Sequence, residues 1–84
     1  MRAKHRRTLT RVYERPTPAD IRWDEMESLL GACGVKVFDR SGFRAGLSKG
    51  SARVVVHRPH PRPTIGRATV RDIAAFLKAV GVEP

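Results

Sequence analysis

Residues 43–57 read Phe43-Arg44-Ala45-Gly46-Leu47-Ser48-Lys49-Gly50-Ser51-Ala52-Arg53-Val54-Val55-Val56-His57, and the fold turns on how this stretch divides. Phe43, Ala45 and Leu47 alternate with other residues on one side of Lys49-Gly50; Ala52, Val54 and Val56 do so on the other. Period-two alternation broken by a Gly-containing turn is the mark of two half-buried strands in a hairpin. The two apolar sets share a face when Leu47 stands opposite Ala52, since a slip of one residue turns one set away from the core. Gly50 then supplies the positive φ of the turn. The other face gathers Arg44, Arg53, Val55 and His57, with Arg44 opposite Val55 and diagonal to both Arg53 and His57. The hairpin thus has one apolar and one cationic face.

The elements around it follow. Val35–Phe38 reads as a further strand, joined to the hairpin through a turn at Asp39–Gly42. Before it, Trp23, Met26, Leu29, Leu30 and Cys33 repeat at helical spacing. Asp24, Glu25 and Glu27 crowd the positive end of that helix, and Gly34 is placed to end it. After the hairpin, Val70, Ile73, Phe76, Leu77 and Val80 form a second stripe. Thr69 is the expected cap of that helix, with Asp72 three residues on and Gly81 at its end. Both helices need the sheet's one apolar face. The expected architecture is an α+β two-layer sandwich, helix, three-stranded antiparallel meander, helix. Ahead of it, Leu9, Val12 and Tyr13 make a thin stripe in a basic segment that Pro16 and Pro18 close. Residues 1–20 are therefore expected to be an arm or short docked helix with a Pro linker, and residues 21–84 the domain.

Charge narrows the function. The 84 residues carry 17 Lys+Arg against 8 Asp+Glu, a net +9, and Arg dominates. Its planar fork matches phosphate, so the excess points to a polyanion such as RNA. Residues 35–67 hold most of it. The only cysteine, Cys33, excludes an internal disulfide and suits a reducing compartment. No apolar run approaches the ~18 residues of a membrane span, and the basic start leads into no apolar signal core. A cytoplasmic protein is expected.

Chemistry is most concentrated where the third strand runs out, at His57-Arg58-Pro59-His60-Pro61-Arg62-Pro63. Metal-free cleavage of RNA needs a base for the 2′-OH, an acid for the leaving oxygen and a cation for the charge on phosphorus. Histidine suits the first two and arginine the third. His57 and His60 are the candidate acid–base pair and Arg44 the phosphate-stabilising cation. Lys36, Lys49, Arg53, Arg58 and Arg62 are candidate RNA contacts. The bland alternative is that both histidines only bind phosphate or backbone. His57-x-x-His60 with a remote Cys33 lacks zinc spacing, no cofactor motif is present, and Cys33 falls on a buried helix face, unsuited to a nucleophile.

The helix ending Leu29-Leu30-Gly31-Ala32-Cys33-Gly34, the meander, the Pro/His loop and Gly66-Arg67-Ala68-Thr69-Val70-Arg71-Asp72-Ile73 together resemble the HicA toxins of bacterial type II toxin–antitoxin pairs. The resemblance covers residues 22–82. It implies a double-stranded-RNA-binding-domain-like fold, metal-independent cleavage of messenger RNA and neutralisation by a HicB antitoxin. The family's Gly-Ser-His, with its catalytic histidine, falls at Gly42-Phe43-Arg44, so that position holds Arg44. The family's later Pro-x-His falls at Arg58-Pro59-His60, which keeps His60, and His57 is additional. Three readings stay open: a HicA-like endoribonuclease, a non-catalytic RNA-binding module of the same fold, and a domain whose cations meet an acidic protein.

Overall fold

The structure, a computed structural model, describes residues 1–84. In chain order the elements are α1 (Ala3–Val12), α2 (Trp23–Ala32), β1 (Lys36–Arg40), β2 (Arg44–Lys49), β3 (Ala52–His57) and α3 (Arg67–Ala79). The strands form one antiparallel sheet in the order β1-β2-β3. The helix stripe and strand alternation meet in one core, where Met26, Leu29, Leu30, Leu47, Ile73 and Leu77 are fully buried. Helices α2 and α3 lie on the same face of the sheet, against β1 and β3 respectively. The α+β sandwich therefore stands.

The register is corrected. Leu47 pairs with Val54 rather than Ala52, and Ala52 pairs with Lys49. The hairpin turn contracts to Gly50-Ser51, with Gly50 at φ 59°. A shift of two residues keeps the side chains of β2 and β3 on their expected faces while lengthening the ladder, and the tight turn suits the strands' twist. Phe43, expected at the start of the second strand on its apolar face, lies instead just ahead of β2 and is exposed. One consequence matters for the site: Arg44 now faces His57, not Val55. Strand β1 also runs on to Arg40, which pairs with Arg44 across the loop Ser41–Phe43.

Both core helices end in the same way. Gly34 and Gly81 adopt φ of 77° and 81°, and the N–H groups of Val35 and Val82 return to the carbonyls of Leu30 and Leu77 at 2.9 and 2.8 Å. This is the Schellman arrangement, which satisfies carbonyls the helix leaves free. The start of α3 differs from expectation. It opens at Arg67 behind Gly66, with no side-chain cap, and Thr69 lies inside the first turn. Ile65 explains the earlier entry: it is buried, and its N–H bonds to the Ile21 carbonyl at 2.8 Å, fixing the chain just ahead of the helix.

The basic N-terminal segment is a docked helix. Leu9 and Val12 are buried, and α1 packs on α2 and α3 without touching the sheet. The Tyr13 hydroxyl is directed at the carbonyls of Val82, 2.7 Å, and Ala74, 3.1 Å. Arg11 pairs with Asp20, and Arg67 Nε donates to the Thr17 carbonyl at 3.0 Å. These contacts tie residues 1–20 to the far side of the helices. The opposite face of the sheet stays uncovered.

Candidate nucleic-acid interface

Strand parity and the observed register arrange the uncovered face as three cross-strand rungs. They are Lys36–Ser48–Arg53, then Phe38–Gly46–Val55, then Arg40–Arg44–His57. Lys36, Arg40, Arg44, Arg53 and His57 are all exposed. The face carries no carboxylate: Asp39, the one acid in the sheet, points to the helix side and pairs with Arg58. None of the four ion pairs in the molecule uses a cation of this face.

The Arg40–Arg44–His57 rung lies where the third strand gives way to the loop. The Arg58 N–H bonds the Phe43 carbonyl at 2.7 Å, one position beyond it. Alternation along an antiparallel ladder makes Arg44–His57 a non-hydrogen-bonded pair, the kind whose side chains stand closer. The Arg44 guanidinium bonds Ser41, Nη2 to Oγ at 2.6 Å and Nε to the carbonyl at 3.0 Å, which steadies it beside the β1–β2 turn.

The loop from Arg58 to Gly66 is strapped down at both ends. At one end Arg58 pairs with Asp39 and lies over the Trp23 ring, 5.6 Å from its centroid. At the other, the backbone N–H of Trp23 donates to the Pro63 carbonyl at 2.9 Å beside the Arg22–Thr64 bridge. Between these anchors the His60 ring stacks on Phe43, with centroids 4.0 Å apart and planes 19° from parallel. His57, His60 and Arg62 line one open concavity that reaches Gly66 and Thr69 at the start of α3.

The residues singled out in the sequence are thus sorted. His57 belongs both to the Arg40–Arg44 rung and to the concavity that holds His60 and Arg62. Lys36 and Arg53 share the far rung of the same face. Arg58 and Lys49 lie on the helix side instead. Lys49 Nζ donates to the Cys33 carbonyl at 2.6 Å and so caps the negative end of α2. Cys33 is buried, and burial pushes its thiol pKa up against the opposing pull of Lys49. No three His, Cys, Asp or Glu side chains gather at one point to hold a metal.

Arg40, Phe38 and Phe43 were not anticipated. Ending the strand at Phe38 hides Arg40, because Asp39-Arg40-Ser41-Gly42 reads as a turn. Phe38 falls inside the expected strand, and its place over the central strand follows only from its pairing with Gly46. Continued alternation from Lys36 through Phe38 would have reached Arg40. Nothing in sequence spacing signals the Phe43–His60 stack, which joins residues from two loops.

The fold and its unpaired cations define a small α+β domain with a sheet face suited to a polyanion. The family model described as HicA toxin of bacterial toxin–antitoxin matches residues 23–82. The chain belongs to the HicA toxin family, and with it to the toxins of toxin–antitoxin systems. Helix α1 lies outside the matched residues. No curated protein and no solved structure shows significant similarity to the chain. No helix is long and apolar enough to cross a membrane.

Proposed function

We propose that the chain is a metal-independent endoribonuclease that cleaves messenger RNA in the cytoplasm and is held inactive by a HicB-like antitoxin. The observation that carries this reading is the pairing of His57 with Arg44. By the motif comparison, Arg44 occupies the position of the family's catalytic histidine. Arginine stays protonated and cannot take a proton from the ribose hydroxyl. His57, on the same rung and face, supplies an imidazole one strand away.

The chemistry divides among the residues at this end of the sheet. Neutral His57 removes the proton of a 2′-OH, whose oxygen attacks the adjacent phosphorus. The P–O5′ bond breaks, and the 5′ oxygen leaves with a proton from the His60 imidazolium. The products are a 2′,3′-cyclic phosphate and a 5′-hydroxyl. Arg44 faces the negative charge that builds on the phosphoryl oxygens. The stack on Phe43 limits rotation of the His60 ring. Lys36, Arg53 and Arg62 hold neighbouring phosphates, a binding that weakens as salt rises.

A specific observation also favours a second reading. With Arg44 in the histidine position, the same face is a phosphate-binding surface that needs no catalysis, and the chain is then a non-catalytic RNA-binding module. Inducible expression of wild type beside His57→Ala separates the two. The nuclease reading expects growth arrest and transcript decay from wild type and neither from His57→Ala. Arrest without transcript decay, equal in both, supports the binding module.

A further inference from the structure

The middle rung of the open face, Phe38–Gly46–Val55, is not cationic. Phe38 is 38% and Val55 44% exposed, both large for apolar residues in a strand. Gly46 is buried although it lies on the uncovered face, because the Phe38 ring covers it. A Cβ at position 46 would overlap that ring. Glycine therefore lets an aromatic ring settle over the central strand, with part of its surface in solvent.

Cations border this apolar strip on both sides along the strands, Lys36 and Arg53 on one rung, Arg40 and Arg44 on the other. Successive rungs are two residues, or ~6.8 Å, apart. Arg40 and Arg44 are direct cross-strand partners, an unfavourable placement for like charges unless an anion lies against them. A solvent-facing ring between two rows of unpaired cations suits a ligand that presents flat apolar faces and phosphates together. Single-stranded nucleic acid does so. A duplex keeps its bases stacked inside and presents its backbone.

We propose that the open sheet face binds single-stranded RNA, with an unpaired base stacked on Phe38 and flanking phosphates on the two cationic rungs. This rests on the proposed action on RNA and names the form of RNA taken. The base subsite is distinct from His57 and His60 and lies one rung inward from His57. It fixes the strand's position relative to the cleaving end of the sheet.

The test uses full-length protein and a short mixed-sequence 2′-O-methyl RNA carrying a 5′ fluorescein, which lacks the attacking hydroxyl. Anisotropy is measured with the single strand and with the same strand annealed to its complement. Phe38→Leu, which still covers Gly46, is expected to weaken single-strand binding about 5- to 150-fold, the effect of losing one stacked base. Phe38→Trp is expected to retain affinity, and duplex binding to be insensitive to both changes. In wild type, ring-proton NMR signals of Phe38 should move upfield on adding the single strand. Single-strand binding unchanged by Phe38→Leu, with unmoved ring signals, overturns the base subsite while leaving RNA binding intact. Absence of any RNA binding overturns this inference and the RNA reading together. Sedimentation showing a dimer that Phe38→Leu dissociates would assign the face to a second copy of the chain and also overturn the proposal.

Discussion

Arg44 and His57 stand directly opposite each other on β2 and β3, on the face of the sheet that no helix covers. A permanent cation and a titratable imidazole thus share one rung beside the strapped loop that carries His60. If the rung rather than the strand sets the chemistry, the two side chains should be exchangeable. The double substitution Arg44→His with His57→Arg is expected to keep RNA cleavage within about tenfold of wild type. His57→Arg alone should lose the ~10²–10⁴-fold contributed by acid–base catalysis. Initial rates on a labelled RNA decide it: an exchanged variant as inactive as His57→Arg would refute the shared-rung account.

Arg40 gives a prediction in which binding and stability move in opposite directions. Its cross-strand partner is Arg44, and neither makes an ion pair. Arg40→Gln should raise the free energy of unfolding by ~0.2–1 kcal/mol through relief of like charge. The same change should lower the slope of log affinity for RNA against log salt by about one phosphate contact. Urea titration and binding at several salt concentrations provide the two readouts. A destabilised variant with an unaltered slope would show that Arg40 does not meet phosphate.

Helix α1 is held at its end by the Tyr13 hydroxyl, 2.7 Å from the Val82 carbonyl. Burial pushes the Tyr13 pKa up, with Glu83 adding to it, so the hydroxyl stays a donor across the neutral range. Tyr13→Phe is expected to cost ~0.5–1.5 kcal/mol, the net worth of one hydrogen bond. Leu9→Ala, at a site only 3% exposed, should cost ~2–5 kcal/mol. Chemical denaturation measures both. Little change from either would mean that α1 is not packed as described.

Acid should loosen the same helix in two stages. Desolvation, then the charges of Lys4, Arg2 and the N-terminus, hold the His5 pKa below its usual value, while its Nε2 lies 2.8 Å from Ser28 Oγ on α2. Hydrogen bonding to Arg11 holds the Asp20 pKa down. In both cases the unfolded chain binds the proton more readily, so stability falls as pH drops. The His5 share fades below about pH 6.5 and the Asp20 share below about pH 3.9, the unfolded values. Protection of the α1 amides, taken relative to the intrinsic exchange rate at each pH, should fall through those ranges, and Arg11→Gln should abolish the lower stage. Protection independent of pH would contradict this.

The faces of the sheet were legible in the sequence because alternation in Phe43–Leu47 and Ala52–Val56 fixes them. The register was not, because a shift of two residues leaves every side chain on the same face. Apolar pattern cannot distinguish Leu47–Ala52 from Leu47–Val54; the choice falls to the turn, where Gly50-Ser51 closes the hairpin. That choice makes Arg44 and His57 direct partners instead of diagonal neighbours. The helix ends were readable from Gly34 and Gly81, whose φ values match the role. The start of α3 was not, since Thr69 has the chemistry of a cap while Ile65 sets where the helix begins. Lys49 has the charge of an RNA contact, yet its partner, the Cys33 carbonyl, is remote in sequence. The Phe43–His60 stack likewise joins distant residues and leaves no local pattern.

The central claim is that His57 is the group that activates the ribose hydroxyl, and in vitro cleavage tests it most directly. Purified wild type and His57→Ala are incubated with a 5′-labelled RNA in excess EDTA, and rates and product ends are compared. Wild type should cleave and leave 2′,3′-cyclic phosphate ends, while His57→Ala binds the RNA as tightly and cleaves about 10²–10⁴-fold more slowly. Equal rates from the two proteins, or a wild type that binds RNA and leaves it intact, would contradict the account.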